Sequence, residues 1–140
     1  MLLVVGAALV AGVLGSFTDW LFMGFLFHDA YNRYPEVWRP GIADGKEKAA
    51  IALSAAVGFV MSFAIVGLCW LAGVTSVVGG LAVSLLAWLA GPLAIMVING
   101  LFIKLDAKIV VMHSIGYLSR FALAGIAAGL VLPSQPHSYL

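Results

Sequence analysis

The sequence predicts an all-α, polytopic membrane protein: an antiparallel bundle of four transmembrane helices with both termini on the non-cytoplasmic side. Of its 140 residues, 64% are hydrophobic and only 9% are charged, whereas a soluble domain has about 25% charged residues. The apolar residues form four runs long enough to cross a bilayer, and the basic residues are concentrated between these runs. Since such a chain lacks the polar residues that would cover a soluble core, lipid is its expected solvent.

The first predicted span covers residues 2–27 and contains one charged residue, Asp19. About 20 apolar residues suffice to cross the hydrocarbon core. A cleaved signal peptide is the alternative, but no Lys or Arg precedes the run, and the run is longer than the apolar core of such a peptide. We therefore predict a retained transmembrane helix.

The segment 28–48 is too charged for hydrocarbon and contains two prolines, so it is predicted to be the main loop. Tyr31, Tyr34 and Trp38 have amphipathic rings that suit the headgroup layer, and we predict that they are interfacial anchors. The loop is therefore expected to lie along the membrane surface.

Three further spans are predicted at residues 49–72, 75–99 and 109–132. An uncharged tight turn joins the second span to the third. The third contains Gly91 and Pro92, which should kink or break the helix because proline donates no backbone hydrogen bond. The loop 100–108 is charged, and residues 133–140 form a polar tail. We expect a single transmembrane domain over residues 1–140.

The orientation follows from the distribution of basic residues. Six of the seven Lys and Arg residues lie in the two charged loops, namely Arg33, Arg39, Lys46, Lys48, Lys104 and Lys108. The N-terminus, the middle turn and the tail carry none. By the positive-inside rule, the charged loops are predicted to be cytoplasmic and both termini to face outward, in a multi-pass protein of the cell inner (plasma) membrane.

Two charged residues, Asp19 and Arg120, fall inside the predicted spans. Each costs roughly 2.5–3.5 kcal/mol near a helix centre unless it finds a partner. Counted from the cytoplasmic ends of their helices, the two residues differ in depth by roughly 6 Å, which an arginine side chain can cover. We predict that they pair.

Further polar residues lie on the same helix faces. Spacings of four and seven place His113, Tyr117 and Arg120 on one face of the fourth span. The predicted intramembrane polar cluster consists of Asp19, Arg120, His113, Tyr117, Ser16 and Asn99. Its role is either a proton or ion relay, or a neutralised pair that fixes which helices pack together, and the small number of ionisable groups favours the second.

Small residues at a spacing of four indicate close contacts between helices. Gly125 and Gly129 form one such pair, and Gly12 has small residues four positions before and after it. The predicted helix-packing residues are Gly12, Gly125, Gly129 and Pro92. Sequence patterns for metal, haem or phosphate binding do not occur, so we predict no catalytic residue, no metal site and no cofactor.

Two stretches of the sequence resemble a known family. They are residues 15–22 with the aromatic segment that follows them, and residues 99–102 through Gly116 and Tyr117 to a Gly- and Ala-rich end. Both are similar to a widespread group of small bacterial four-span membrane proteins catalogued as a domain of unknown function. The resemblance implies the four-span topology and supplies no activity.

The sequence therefore predicts a non-catalytic integral membrane protein, not an enzyme, that acts through helix packing as a subunit of a homo-oligomeric or larger membrane complex. The alternative is a small proton- or ion-coupled transporter or channel that uses the Asp–Arg–His site. A membrane enzyme is the weakest hypothesis, since only His28, Asp29 and Tyr31 offer reactive groups at headgroup depth. The expected partners are the lipid bilayer and other membrane chains, of the same or different sequence, and no nucleic acid.

Overall fold

The computed structural model describes residues 2–33, 36 and 47–132. Within these ranges every regular element is helical, and four helices are long and apolar enough to cross a membrane. They are α1 (Leu2–Leu26), α2 (Glu47–Leu71), α3 (Val77–Phe102) and α4 (Ala107–Val131). A short 3₁₀ helix, His28–Arg33, follows α1. The all-α prediction with four potential spans is confirmed, and the helix ends differ from the predicted ones by no more than three residues.

Two of the four helices contain a π-helical segment. In α1, the α-helix Leu2–Asp19 continues as a π-helix over Trp20–Leu26. In α3, the π-helix Leu89–Leu93 contains Pro92. Because proline donates no backbone hydrogen bond, the α-helical ladder cannot pass through it, and a π-turn lets the helix continue with a changed register. The interruption predicted at this proline is thus a π-helical segment inside one continuous helix.

A tight turn joins α2 to α3. Gly73 has φ +66°, a left-handed conformation that glycine adopts without steric cost. The hydroxyl of Ser76 then caps α3 by accepting a hydrogen bond from the backbone N–H of Gly79 at 3.1 Å. The uncharged turn therefore reverses the chain and satisfies a donor at the start of the next helix.

α4 is the central helix, because it makes the most extensive packing contacts with the other helices. Its contacts with α3 include Gly125, beside Gly80, and Ser114, whose carbonyl accepts a hydrogen bond from the Trp88 indole at 2.8 Å. Residue numbers fall along α4 as they rise along α3, so these two helices are antiparallel. In the described part of the chain, the helices thus form a bundle organised around α4.

Glycines allow α3 and α4 to approach closely. A Cβ atom on Gly80 would collide with the carbonyl oxygen of Gly125, and a Cβ on Gly125 would collide with Ser84 Oγ. A Cβ on Gly129 would lie 2.5 Å from the carbonyl oxygen of Ser76. Small residues on both helices thus remove the side-chain layer that normally separates two helices. Of the predicted packing residues, Gly125 and Gly129 lie at this interface; their partners Gly80 and Ser84 on α3, also four residues apart, were not predicted.

The apolar core lies at the end of the bundle nearer the α2–α3 turn. Its buried residues are Ala8, Ala11, Ile65, Val66, Cys69, Val74, Phe121, Ala124, Ala128 and Leu132. Gly12 adjoins this core at the contact between α1 and α2, where a Cβ would collide with the ring of Phe59. A smaller cluster of Ile109 and Met112, with Phe27 packed against it, lies near the other end of α4.

The first part of α2 is not packed against the bundle. Every residue from 47 to 57 is exposed except Ala55, which is half-buried, and the first buried residue of α2 is Gly58. These residues lie alongside the second half of α1 and the first half of α4, so α2 diverges sideways from them. We call the space between residues 47–57 and the α1–α4 pair the α2 cleft.

Two ion pairs join the connecting segments at the same end. Arg33 Nη1 donates to Asp106 Oδ2 at 2.7 Å, and Lys104 donates to Glu36. The backbone N–H of Lys108, and then Arg33, hold the pKa of Asp106 below its ordinary value. The Lys104 ammonium likewise lowers the pKa of Glu36. Since both pKa values are lowered on folding, the stabilisation is present above the ordinary carboxyl range and is lost as the pH falls through the folded values.

The predicted interfacial anchors fall largely outside the described residues. Tyr34 and Trp38 lie outside them, as do the tail 133–140 and most of the loop 28–48. Tyr31 belongs to the 3₁₀ helix, and its side chain also lies outside the description. The anchoring role of these three residues stays a prediction.

Replacing Gly80 by alanine should destabilise the protein, because the new Cβ would overlap the carbonyl oxygen of Gly125. We expect the free energy of unfolding to fall by about 1–3 kcal/mol, the usual cost of overpacking, as measured by SDS titration in mixed micelles. Gly67→Ala is the matched control, since no heavy atom lies within 4 Å of a Cβ at Gly67 in α2. It should be neutral or slightly stabilising. Equal losses in the two variants would contradict a close α3–α4 contact.

Candidate functional site

Arg120 lies near the middle of α4 and is the largest fully buried side chain among the described residues. Its side chain is only 1% exposed. A guanidinium cannot be buried alone, because the loss of hydration costs several kcal/mol unless a counter-charge and hydrogen bonds replace it. The groups around Arg120 therefore decide whether this packing is stable.

Asp19 of α1 neutralises the guanidinium. Arg120 Nη2 donates to Asp19 Oδ2, and it lies 3.5 Å from the hydroxyl oxygen of Ser16. Ser16 precedes Asp19 by three residues, so both side chains face α4. The ion pair that the sequence predicts is present in the structure.

Two glycines make room for the guanidinium. A Cβ on Gly15 of α1 would lie 3.0 Å from Cζ and Nη1 of Arg120, and a Cβ on Gly58 of α2 would lie 2.6 Å from Nη2. Even alanine at position 58 would require the guanidinium to move. Arg120 is therefore held between α1 and α2, and it determines where these two helices meet α4.

The ion pair does not use all of its hydrogen-bonding capacity. Nε and Nη1 of Arg120 and Oδ1 of Asp19 are buried and have no hydrogen-bond partner among the described residues. Leaving a buried polar group unpaired costs about 1–3 kcal/mol. The ion pair therefore holds two donor nitrogens and one carboxylate oxygen that are buried and unpaired.

His113 and Tyr117 continue the polar face of α4 toward the charged connecting segments. Both are half-buried, their ring centroids are 6.0 Å apart, and both interact electrostatically with Asp19. Oδ1 of Asp19 lies on this side, 3.8 Å from where a Cβ on Gly116 would be. The polar row extends from the bundle centre toward that end in the order Arg120, Asp19, Tyr117, His113.

On the other side of Arg120 the interior is apolar. The next inward-facing residues of α4 are Phe121, Ala124 and Ala128, which belong to the main core with residues of α1 and α2. Within the described residues, the polar row therefore ends at Arg120 and does not cross the bundle. This geometry favours a blind-ended site over a pore.

The structure does not place Asn99 in the cluster, contrary to the prediction. Asn99 is exposed, near the C-terminal end of α3. The following residue, Gly100, is the one that faces α4, since its Cβ would lie 2.8 Å from Val110. A step of one residue turns a helix by about 100°, so Asn99 points away from the cluster.

The described residues also offer few groups for metal chemistry. In residues 2–33, 36 and 47–132, His, Cys, Asp and Glu side chains do not form any group of three that could hold a metal ion. Cys69 is buried in the apolar core. Chemistry at this site therefore depends on the ion pair and its polar neighbours.

No protein-family model, curated protein or solved structure matches this chain. The resemblance to the four-span group of unknown function stays a prediction.

Asp19→Asn should destabilise the folded protein, because it leaves the Arg120 charge buried without a counter-charge. We expect the free energy of unfolding to fall by about 3 kcal/mol, the lower end of the range for buried pairs since the Asp19 side chain is 26% exposed. SDS titration measures this loss. The double variant Asp19→Asn with Arg120→Met should recover much of it, because both charges leave together.

Glu36→Gln is the control for this experiment, because it removes an ion pair of exposed side chains with Lys104. Its free energy of unfolding should match that of the unmodified protein. A double variant as unstable as Asp19→Asn alone would show that the loss does not come from an uncompensated Arg120 charge.

Proposed function

We propose that the protein is a non-catalytic, four-span membrane component that acts through helix contacts, as a subunit of a homo-oligomeric or larger membrane complex. The supporting observation is the uneven burial of its helices together with one exposed amide. In the most apolar stretch of α4, 44% of the residues are buried, whereas the corresponding share in α3 is 6%. α3 therefore has few fully buried residues, and half of its 26 residues are exposed.

Lipid can cover an apolar helix face, but its hydrocarbon chains cannot form hydrogen bonds with an amide side chain. Asn99 carries a donor and an acceptor, and its side chain makes no hydrogen bond within the described residues. In membranes, such side chains hydrogen-bond across the contact between two helices. The exposed residues Ile95 and Phe102 lie on the same side of α3 as Asn99, at spacings of four and three from it, and Ile98 lies at spacings of three and four from those two residues. We assign these four residues, the α3 face, to a partner helix.

The proposed topology has the charged segments in the cytoplasm and both termini outside, in the inner membrane. The ion pairs of Arg33 with Asp106 and of Lys104 with Glu36 lie at one end of the bundle, which supports a single basic face. The positive-inside rule assigns that face to the cytoplasm. The Gly73 turn then lies on the outer side.

The polar cluster fits this proposal as a structural element. It ends at an apolar core, which a conducting path would have to cross. A transporter remains the competing function, and it makes a different prediction: proton-coupled uptake into vesicles that is lost in Asp19→Asn. Flux that depends on Asp19 would favour the transporter over the subunit.

The protein extracted in mild detergent should have a mass greater than that of one chain, by native mass spectrometry. Asn99→Ala should shift the distribution toward the single chain, because a bond of about 1 kcal/mol changes an association constant about fivefold. Ser54→Ala is the matched control: Ser54 is also exposed, but its hydroxyl donates to the Ile51 carbonyl of its own helix at 2.9 Å. Single-chain masses for the unmodified protein, in detergent and in nanodiscs, would refute the proposal.

A further inference from the structure

The amide of Asn99 lies on the outside of the bundle and is directed into the membrane. Its neighbour Gly100 faces α4, and the Asn99 side chain, about 100° round the helix, is exposed. A helical side chain tilts toward the N-terminal end of its helix. For Asn99 this direction leads away from the charged segment that follows α3. Phe102, the last residue of α3, lies one turn further along the same side, between Asn99 and that segment.

An asparagine amide is complementary to a second copy of itself. It has one carbonyl oxygen, which accepts hydrogen bonds, and one amino group with two donors. Two such amides related by a two-fold axis exchange a pair of hydrogen bonds, because each carbonyl accepts from the amino group of the other. The same surface on both molecules therefore supplies every group that the contact needs, which is the condition for a symmetric dimer interface.

Insertion in a membrane brings identical residues of two copies to the same depth. All copies of this chain are expected to insert in the same direction, because six of the seven basic residues lie in the two charged loops. Two copies related by an axis along the membrane normal therefore present Asn99 to Asn99, with their α3 helices parallel. A partner of another sequence would need a hydrogen-bonding residue at this same depth.

The neighbours of Asn99 match the seam of a parallel helix pair. Ile95 precedes it by four residues and Phe102 follows it by three, which is the alternating spacing of the two core positions in a coiled coil. In parallel pairs, a single asparagine at one of these positions sets the register and the number of strands. All residues of the α3 face are exposed, so their side chains are available to another molecule.

The charges nearest the α3 face are compensated, as a symmetric contact requires. Identical charges that meet across a two-fold axis repel each other. Residues 77–102 contain no charged residue. Just beyond α3, Lys104 forms an ion pair with Glu36, and Asp106 forms one with Arg33. Two copies therefore approach along α3 without an unopposed like charge.

We propose that the partner of the α3 face is a second copy of this chain, with α3 parallel to α3 about a two-fold axis that passes between the two Asn99 amides. Each Asn99 carbonyl accepts from the amino group of the other, and Ile95 and Phe102 each pack against their own equivalent. The inference rests on the proposed function, in which this face is a contact between chains, and it deepens that function by naming the partner.

Cysteines at face and control positions test this contact. In a symmetric parallel pair each face residue lies near its own equivalent, and a disulfide forms only when two Cα atoms are within about 7 Å. Ile95 and Phe102 belong to the α3 face, whereas Val97 and Leu101 are exposed but about 200° round the helix from Asn99. Cys69, the one native cysteine, is buried in the core.

The four single variants are reconstituted in vesicles at a high ratio of lipid to protein and oxidised with copper phenanthroline. We expect disulfide-linked dimer to form at least about tenfold faster from Ile95→Cys than from Val97→Cys, and from Phe102→Cys than from Leu101→Cys, because only the face positions are held within bonding distance. The unmodified protein, with Cys69 alone, should form none. A face cysteine that reacts no faster than its control overturns the inference.

Exchange of charge at position 99 tests whether the two amides meet. Asn99→Asp and Asn99→Lys are each combined with Phe102→Cys. Either variant alone should crosslink at least about fivefold more slowly than Phe102→Cys, because like charges meet across the axis. The two variants reconstituted together should recover much of the rate, because opposite charges meet in the mixed pair. A mixture that crosslinks no faster than its components overturns the Asn99 contact.

Mass and crosslinking together separate this inference from the proposed function. A mass greater than one chain with no selective crosslinking overturns the second-copy assignment and leaves the proposed function standing. A copurified chain of another sequence on the α3 face has the same consequence. Single-chain masses in detergent and in nanodiscs, without selective crosslinking, overturn both.

Discussion

The burial of one guanidinium sets the arrangement of three helices. Arg120 requires a counter-charge, which Asp19 supplies from α1, and it requires space, which Gly15 and Gly58 supply from α1 and α2. Neither hydrocarbon nor water provides these at the centre of the bundle. The helices therefore meet at this depth, and sliding α1 or α2 by one residue would separate the charges or bring a Cβ into the guanidinium. A single side chain thus fixes the register of apolar helices that offer few other specific contacts.

Arg120 also marks the border between two differently packed halves. On one side, small residues bring the helices together, and the core is continuous from α1 through α2 to α4. On the other side α2 diverges, and α1 becomes π-helical from Trp20, directly after Asp19. The wider π-turn changes which side chains face inward, and Phe17, Trp20 and Phe25 form a stack of exposed rings instead of a core. The α2 cleft is the space that remains where α2 diverges from the bundle and α1 changes to a π-helix.

The part of the structure that depends on solvent was predictable from the sequence, and the part that depends on helix rotation was not. Lipid requires about 20 continuous apolar residues per span, so the helix limits followed from run length. The Asp19–Arg120 pair followed because two charges lay within the spans. Asn99 was misplaced because its direction depends on the rotation of α3, which the π-segment around Pro92 alters. The Gly80–Ser84 pair, by contrast, carries the same spacing signal as Gly125–Gly129 and was predictable.

A gain in stability does not account for the ion pair. Apolar residues of similar volume often replace a buried ion pair without loss of stability. Helices that needed only to associate could therefore carry apolar residues at these two positions. This site instead leaves Nε, Nη1 and Oδ1 unpaired, each at a cost of about 1–3 kcal/mol. The unpaired atoms occur where α2 opens, and the fully packed half of the bundle contains no charged side chain. What the ion pair supplies is register, because only one alignment of α1 along α4 brings Asp19 to Arg120.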